Sequence, residues 1–227
     1  MCRMFGMAAR APISSYELLI EGPRSLRALS NEHADGWGIA MHDGDWHLER
    51  GTSCAAASDR YATVARQPAR LAVAHVRKAT VGRTALSNTH PFRRSDFVFA
   101  HNGTISDVPA VVARTAPEHL STIEGDTDSE RLFAFVRTHV DAAADVERGV
   151  CAAVRALREL GDIGSASFLF ATSTQLYAHR AGRSLFTLAR HDATMIASEP
   201  LSDEPWTEIA EGAVVALDTH AVHALAA

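Results

Sequence analysis

The feature that most constrains the fold is the order in which its periodicities appear. Short apolar runs of strand length come first, two helix-period segments lie back to back in the middle, and strand-length runs then return. Residues 36–42 and 46–49 flank Asp43-Gly44, a strong hairpin signal, and 71–76 and 97–101 are further apolar runs. An alanine-rich stretch at 53–66 predicts a helix between them. In the middle, Thr127 and Glu130 have the spacing of a capping box, and Leu132, Phe133, Phe135, Val136 and Val140 supply the apolar face of a helix. A second helix is predicted over 142–160, with Val146, Val150, Val154, Leu157 and Leu160 at steps of three and four. Strands follow at 167–172, 176–179, 185–188, 194–197, 213–217 and 221–225, two of them joined by the turn Ala181-Gly182-Arg183.

This order predicts an α+β fold, with antiparallel sheets and helices packed outside them. The strict strand–helix alternation of a parallel sheet is missing. No repeat or flexible linker interrupts the chain, so residues 1–227 are expected to form a single domain. With 22 basic and 27 acidic side chains the net charge is -5, which argues against a nucleic-acid partner. No apolar run approaches the length of a membrane span. Arg3 and Arg10 interrupt what a secretory leader would require, so a cytoplasmic location is expected. Three widely spaced cysteines without CxxC speak against a disulfide framework. Twelve scattered histidines show no ligand spacing, and neither a metal nor a cofactor is expected.

Four places carry chemistry, each with a bland alternative. Cys2 becomes the first residue if Met1 is removed, and its own α-amine would then lie beside the thiol. The two groups titrate near neutrality, at about 8 and 8.5, which suits a nucleophile activated by its own amine. The alternative is a small apolar residue opening a strand. Asn102-Gly103 ends an apolar run and reads either as a hairpin turn or as paired donors for a developing oxyanion. Arg77 closes another apolar run, and its guanidinium either captures a carboxylate bidentately or enters solvent. Asp128 opens the first central helix, where the dipole alone favours a carboxylate and where a substrate ammonium would also be held.

Six segments occur in one order: Met1-Cys2-Arg3-Met4-Phe5-Gly6, Asp35-Gly36-Trp37-Gly38, His75-Val76-Arg77-Lys78-Ala79-Thr80, Asn88-Thr89-His90-Pro91-Phe92, Phe99-Ala100-His101-Asn102-Gly103 and Thr127-Asp128-Ser129-Glu130. Together they resemble the class II glutamine amidotransferase domain of the N-terminal-nucleophile hydrolases, most closely the stand-alone branch that includes the ergothioneine-pathway γ-glutamyl amide hydrolase. Ala197-Ser198-Glu199-Pro200-Leu201 adds late support.

The resemblance implies a four-layer α/β/β/α sandwich of two antiparallel sheets and a glutamine or γ-glutamyl substrate. Cys2 would form a γ-glutamyl thioester, with Asn102 and Gly103 holding the oxyanion. Arg77 would take the α-carboxylate and Asp128 the α-ammonium. Thr80 and the backbone near Lys78 would complete the pocket, with Gly36 and Trp37 on a loop bordering the nucleophile. Lys78 and Val81 depart from the Trp and His of synthase-linked relatives; Lys78 is compatible with a larger γ-glutamyl compound carrying a negative or polar extension and equally with a solvated surface lysine. No synthase domain follows, so hydrolysis, or ammonia delivery to a separate partner, is expected.

A cysteine acylase for other linear amides and a non-catalytic glutamine-binding module are the rival readings. Self-association is left open. His90 and His101 read as structural hydrogen-bonding residues, and His179, His191, His220 and His223 have no assigned role. Cys54, Cys151, Met4, Met7, Trp46 and Trp206 read as packing residues, and Gly125-Asp126 as a turn.

Overall fold

Residues 3–13 are apolar at most positions, and a strand so composed must be covered on both faces. In the computed structural model of the protein, which describes residues 2–218 and 221–227, this stretch is β1 (Arg3–Ile13), deep within a seven-stranded antiparallel sheet. Across that sheet run β11 (Thr207–Glu208), β9 (Phe186–Ala189), β10 (Ala193–Ala197), β1, β4 (Ala69–Val76), β2 (Trp37–Asp43) and β3 (Asp45–Gly51). A second, six-stranded sheet has the order β13 (Val222–Leu225), β12 (Val214–Leu217), β8 (Leu176–His179), β7 (Gly164–Ala171), β6 (Phe97–Ile105) and β5 (Phe92–Arg94). Every strand pair is antiparallel.

Three separate apolar cores make the layering explicit. Met4, Ala8, Leu71 and Val73 from the first sheet meet Val98, Ala100 and Leu169 from the second, and this is the layer between the sheets. On the outer face of the first sheet, Phe5, Met7 and Ile39 pack under a π-helical turn (Glu17–Glu21), α1 (Leu26–Leu29) and α2 (Asp59–Ala65). On the outer face of the second, Phe99, Phe168 and Phe170 are covered by α5 (Asp128–Asp141) and α6 (Val146–Glu159), with α3 (Val108–Ala113) and α4 (Pro117–Leu120) beside them. The Phe99 and Phe133 rings stack there at 5.0 Å. Each such buried side chain stabilises the fold by about 2–3 kcal/mol. The result is the expected sandwich: helices, sheet, sheet, helices.

Side-chain alternation along a strand settles which residues face which layer. Met4 and Met7 are three apart and so lie on opposite faces, one between the sheets and one outside. The same rule turns Asn102 toward the inter-sheet side with Val98 and Ala100, and His101 toward the helices.

Several predicted boundaries are corrected. Asn102-Gly103 is not a turn, because β6 runs through it to Ile105, paired with β7. The helix predicted over 142–160 begins only at Val146: Ala142 caps the end of α5, and the Asp145 side chain accepts from Arg148 N at 2.8 Å to start α6. The stretch 53–66 divides into a 3-10 turn (Ala55–Ala57) and α2, capped by Ser58. The short edge strand β11 carried no recognisable sequence signal. Among the described residues no helix is long and apolar enough to cross a membrane. Met1 and His220 lie outside the described residues.

Candidate active site

Cys2 immediately precedes β1 and shares the inter-sheet side with Met4. Its Sγ–H donates to the Lys78 carbonyl at 3.5 Å. Arg3 anchors this end of the strand, with Nη1 donating to the Cys2 carbonyl at 3.1 Å and Nε to Glu199 at 2.6 Å. Burial pushes the Cys2 thiol above its ordinary value. The Arg77 charge pulls it down and the Asp128 charge raises it, so both charges act on the sulfur.

Arg77 sits at the end of β4 and is only 2 % exposed. The Asp35–Gly36 loop clasps its backbone: Arg77 N donates to Gly36 O at 2.8 Å, Asp35 N donates to Arg77 O at 3.0 Å, and Ala79 N donates to the Asp35 carboxylate at 2.8 Å. Gly36 has φ +137°, a conformation that side-chain-bearing residues rarely adopt. The guanidinium donates to three carbonyls of the following loop, Val81 at 2.9 Å, Gly82 at 3.1 Å and Arg83 at 3.3 Å.

From the other sheet, Asn102 is 4 % exposed and its Oδ1 has no hydrogen-bond partner among the described residues. At Gly103 the neighbouring strand comes so close that an added Cβ would lie 2.0 Å from the Ser165 carbonyl oxygen and 2.5 Å from His101 Nε2. His101 is buried beneath, with Nε2 at 3.0 Å from the Ser165 carbonyl and Nδ1 at 2.8 Å from Ser129 Oγ. Burial lowers its pKa; the ring is therefore neutral, Nε2 donates, and the Ser129 hydroxyl donates to Nδ1.

Asp128 is 5 % exposed, and its Oδ2 accepts from Ile105 N at 2.7 Å, tying α5 to β6. Thr127 caps the helix, accepting from Glu130 N at 3.3 Å. The capping box is only half formed. The Glu130 carboxylate accepts instead from Glu124 N and Gly125 N and pairs with Arg94 at 2.7 Å.

Of the remaining expected site residues, Thr80 is exposed with its hydroxyl 3.4 Å from that of Thr104. Lys78 contributes its carbonyl, while its side chain is exposed. Trp37 departs from expectation. It is on β2 rather than on a bordering loop, and its ring packs edge-on against Tyr61 at 5.3 Å in the outer core, because its register faces away from the inter-sheet layer. Sequence reasoning did not single out Asp35, Thr104 or Ser198, whose hydroxyl accepts from Met4 N at 3.2 Å. Asp35 and Ser198 lie inside quoted motifs, so the signal was present, but their roles are backbone contacts.

Cys2 thus lies against the Lys78 carbonyl, next to the buried Arg77, and Asn102 lines a cavity together with Arg3, the residue after Cys2. The pattern described as "Glutamine amidotransferases class-II" matches residues 1–193. A putative glutamine amidotransferase of Haemophilus influenzae is 32% identical over 147 residues, 62% of this chain and 48% of that protein, so this chain spans about half its length. The γ-glutamyl-hercynylcysteine sulfoxide hydrolase of Mycobacterium tuberculosis is 31% identical over 226 residues, covering 92% of this chain and 89% of that one. A solved glutamine aminotransferase class-II domain protein from Silicibacter pomeroyi shares the fold over the whole of both chains, with a TM-score of 0.73 at 21% identity. On these grounds the chain belongs to the class II glutamine amidotransferases.

Proposed function

We propose that residues 1–227 act as one catalytic domain that hydrolyses a glutamine-type or γ-glutamyl amide through Cys2, once removal of Met1 has freed its α-amine. The sulfur bonds to the amide carbon, and the carbonyl oxygen takes up negative charge opposite the Asn102 amide and the Gly103 N–H. Each such donor is worth about 3–4 kcal/mol in the barrier. The C–N bond then breaks as the α-amine passes the thiol proton to the departing nitrogen. Water cleaves the resulting thioester, which yields glutamate and restores the thiol.

Arg77 and Asp128 read the two ends of the amino-acid backbone, and Thr80, Gly36 and the Lys78 backbone border the pocket. A carboxylate reaching Arg77 displaces neutral carbonyls from the guanidinium and puts a full opposite charge and a bidentate geometry in their place. The observation that carries the reading is that the Cys2 thiol donates to the Lys78 carbonyl at 3.5 Å, which seats the nucleophile beside the residue that follows the buried Arg77.

The test is released glutamate from untagged protein across a panel of γ-glutamyl amides, read alongside the intact mass of the chain. Cys2→Ala is expected to lower turnover by roughly 10⁴-fold or more, and material retaining Met1 is expected to be inactive. Undiminished turnover in Cys2→Ala ends the proposal.

A further inference from the structure

A cavity of about 180 Å³ opens beside Asn102, lined by Arg3, Asn102, Arg183, Ser184, Ser198 and Glu199. It lies on the opposite side of the nucleophile's strand end from Lys78, and its wall is one residue from Cys2, because Arg3 both lines it and holds the Cys2 carbonyl. We propose that this cavity receives the departing amine, and that Arg183 binds a carboxylate carried by that amine. The proposal rests on the Cys2 amidase reading and adds a specificity-determining residue, Arg183, that selects γ-glutamyl amides whose amine half carries a carboxylate.

The charges in the cavity do not balance. Arg3 is neutralised by Glu199 at 2.6 Å, whereas the Arg183 side chain has no hydrogen-bond or ion-pair partner among the described residues. Its Nε is buried and unpartnered. A buried N–H on a charged group without an acceptor is unfavourable and is relieved by an anion.

The backbone that carries this side chain is fixed. The Arg183 carbonyl accepts from Ser167 Oγ at 2.8 Å, and Gly182 N donates to Glu211 at 2.7 Å. The other polar groups of the wall are spoken for: Ser184 Oγ donates to Ser198 O at 3.0 Å, and Ser198 Oγ accepts from Met4 N.

A second orphan lines the same cavity, the Asn102 Oδ1 acceptor. One lone acceptor and one lone cationic donor match the N–H and the carboxylate of an amino acid. The volume fits as well, since a cavity of about 150 Å³ accommodates a benzene ring.

The experiment compares γ-glutamyl-alanine, γ-glutamyl-alaninamide and glutamine as substrates of the untagged protein and of Arg183→Gln. The wild type is expected to favour the free acid over its amide by about 10- to 100-fold in kcat/KM, the range of a hydrogen bond to a charged group. Arg183→Gln is expected to erase that ratio, and to slow the acid at least tenfold more than it slows glutamine. A wild-type ratio near one overturns the inference without appeal to the variant. An equal loss on all three substrates overturns it too. Should no γ-glutamyl compound be turned over, the amidase reading is what fails. The subsite is then decided by calorimetric binding to Cys2→Ala: tenfold tighter binding of the acid sustains it, and equal affinities overturn it.

Discussion

The two sheets contribute to the site in opposite ways. The first offers Cys2 just ahead of its central strand, where few contacts depend on the side chain. The second offers Asn102 and Gly103 from within β6, paired there with Ser167 and Ala166 of β7, with α5 attached through Asp128 and Ser129. The proposed nucleophile is therefore separable from the fold, while the proposed donors are inseparable from it.

The sharpest way to break this contrast is Gly103→Ala. Its Cβ would meet the Ser165 carbonyl, so β6 and β7 must part. We expect a loss of about 3 kcal/mol or more in urea unfolding, together with loss of turnover. Cys2→Ala, by comparison, should stay within about 0.5 kcal/mol of wild type. Equal stabilities for the two variants would dissolve the distinction.

Acid offers a second, smaller probe of the seam between the sheets. His75 on β4 stacks on His90 at 4.3 Å, and His90 leads to Phe92 of β5 at 4.5 Å. Burial lowers His75 to about 3 and holds His90 well below its usual range. Both stay neutral in the fold and protonate near pH 6.5 when unfolded, so the unfolded state binds more protons below that pH. The stability they contribute is complete above about pH 6.5 and declines as the pH falls toward the folded values. His75 alone accounts for about 2 kcal/mol between pH 6.5 and 5. A melting temperature that is flat over that interval would contradict it.

A loss smaller than that of Gly103→Ala or of the histidine pair belongs to Thr127→Ala. It removes one helix cap and should cost about 1 kcal/mol by thermal unfolding. It sharpens the comparison because it loosens the carrier of Asp128 without touching either sheet.

The layer order was legible in the chain because period two and period 3.6 are local signals, as was the Thr127 cap. The positions that were misread depend on what lies across space. Asn102-Gly103 has the local chemistry of a turn, yet the glycine is there because β7 passes too close for a side chain. Trp37 stands in a motif beside Gly36, but strand register sends its ring to the outer core. The two arginines differ in a way no spacing reveals: the Arg77 guanidinium donates to three carbonyls of its own loop, and the Arg183 side chain has no partner among the described residues. Cys2, Arg77 and Asp128 were singled out in the sequence because each stands at the end of a recognisable element.

The placement of β1 also bears on synthesis. Phe5 pairs with Ala74 on one side and with Ala197 on the other, so one neighbour of the leading strand emerges from the ribosome long after the strand itself. Until that late partner docks, the strand keeps an open edge and the cleft has one wall incomplete. A nascent chain can thus expose this leading segment early and still lack a complete cleft until residues Ala193–Ala197 have emerged.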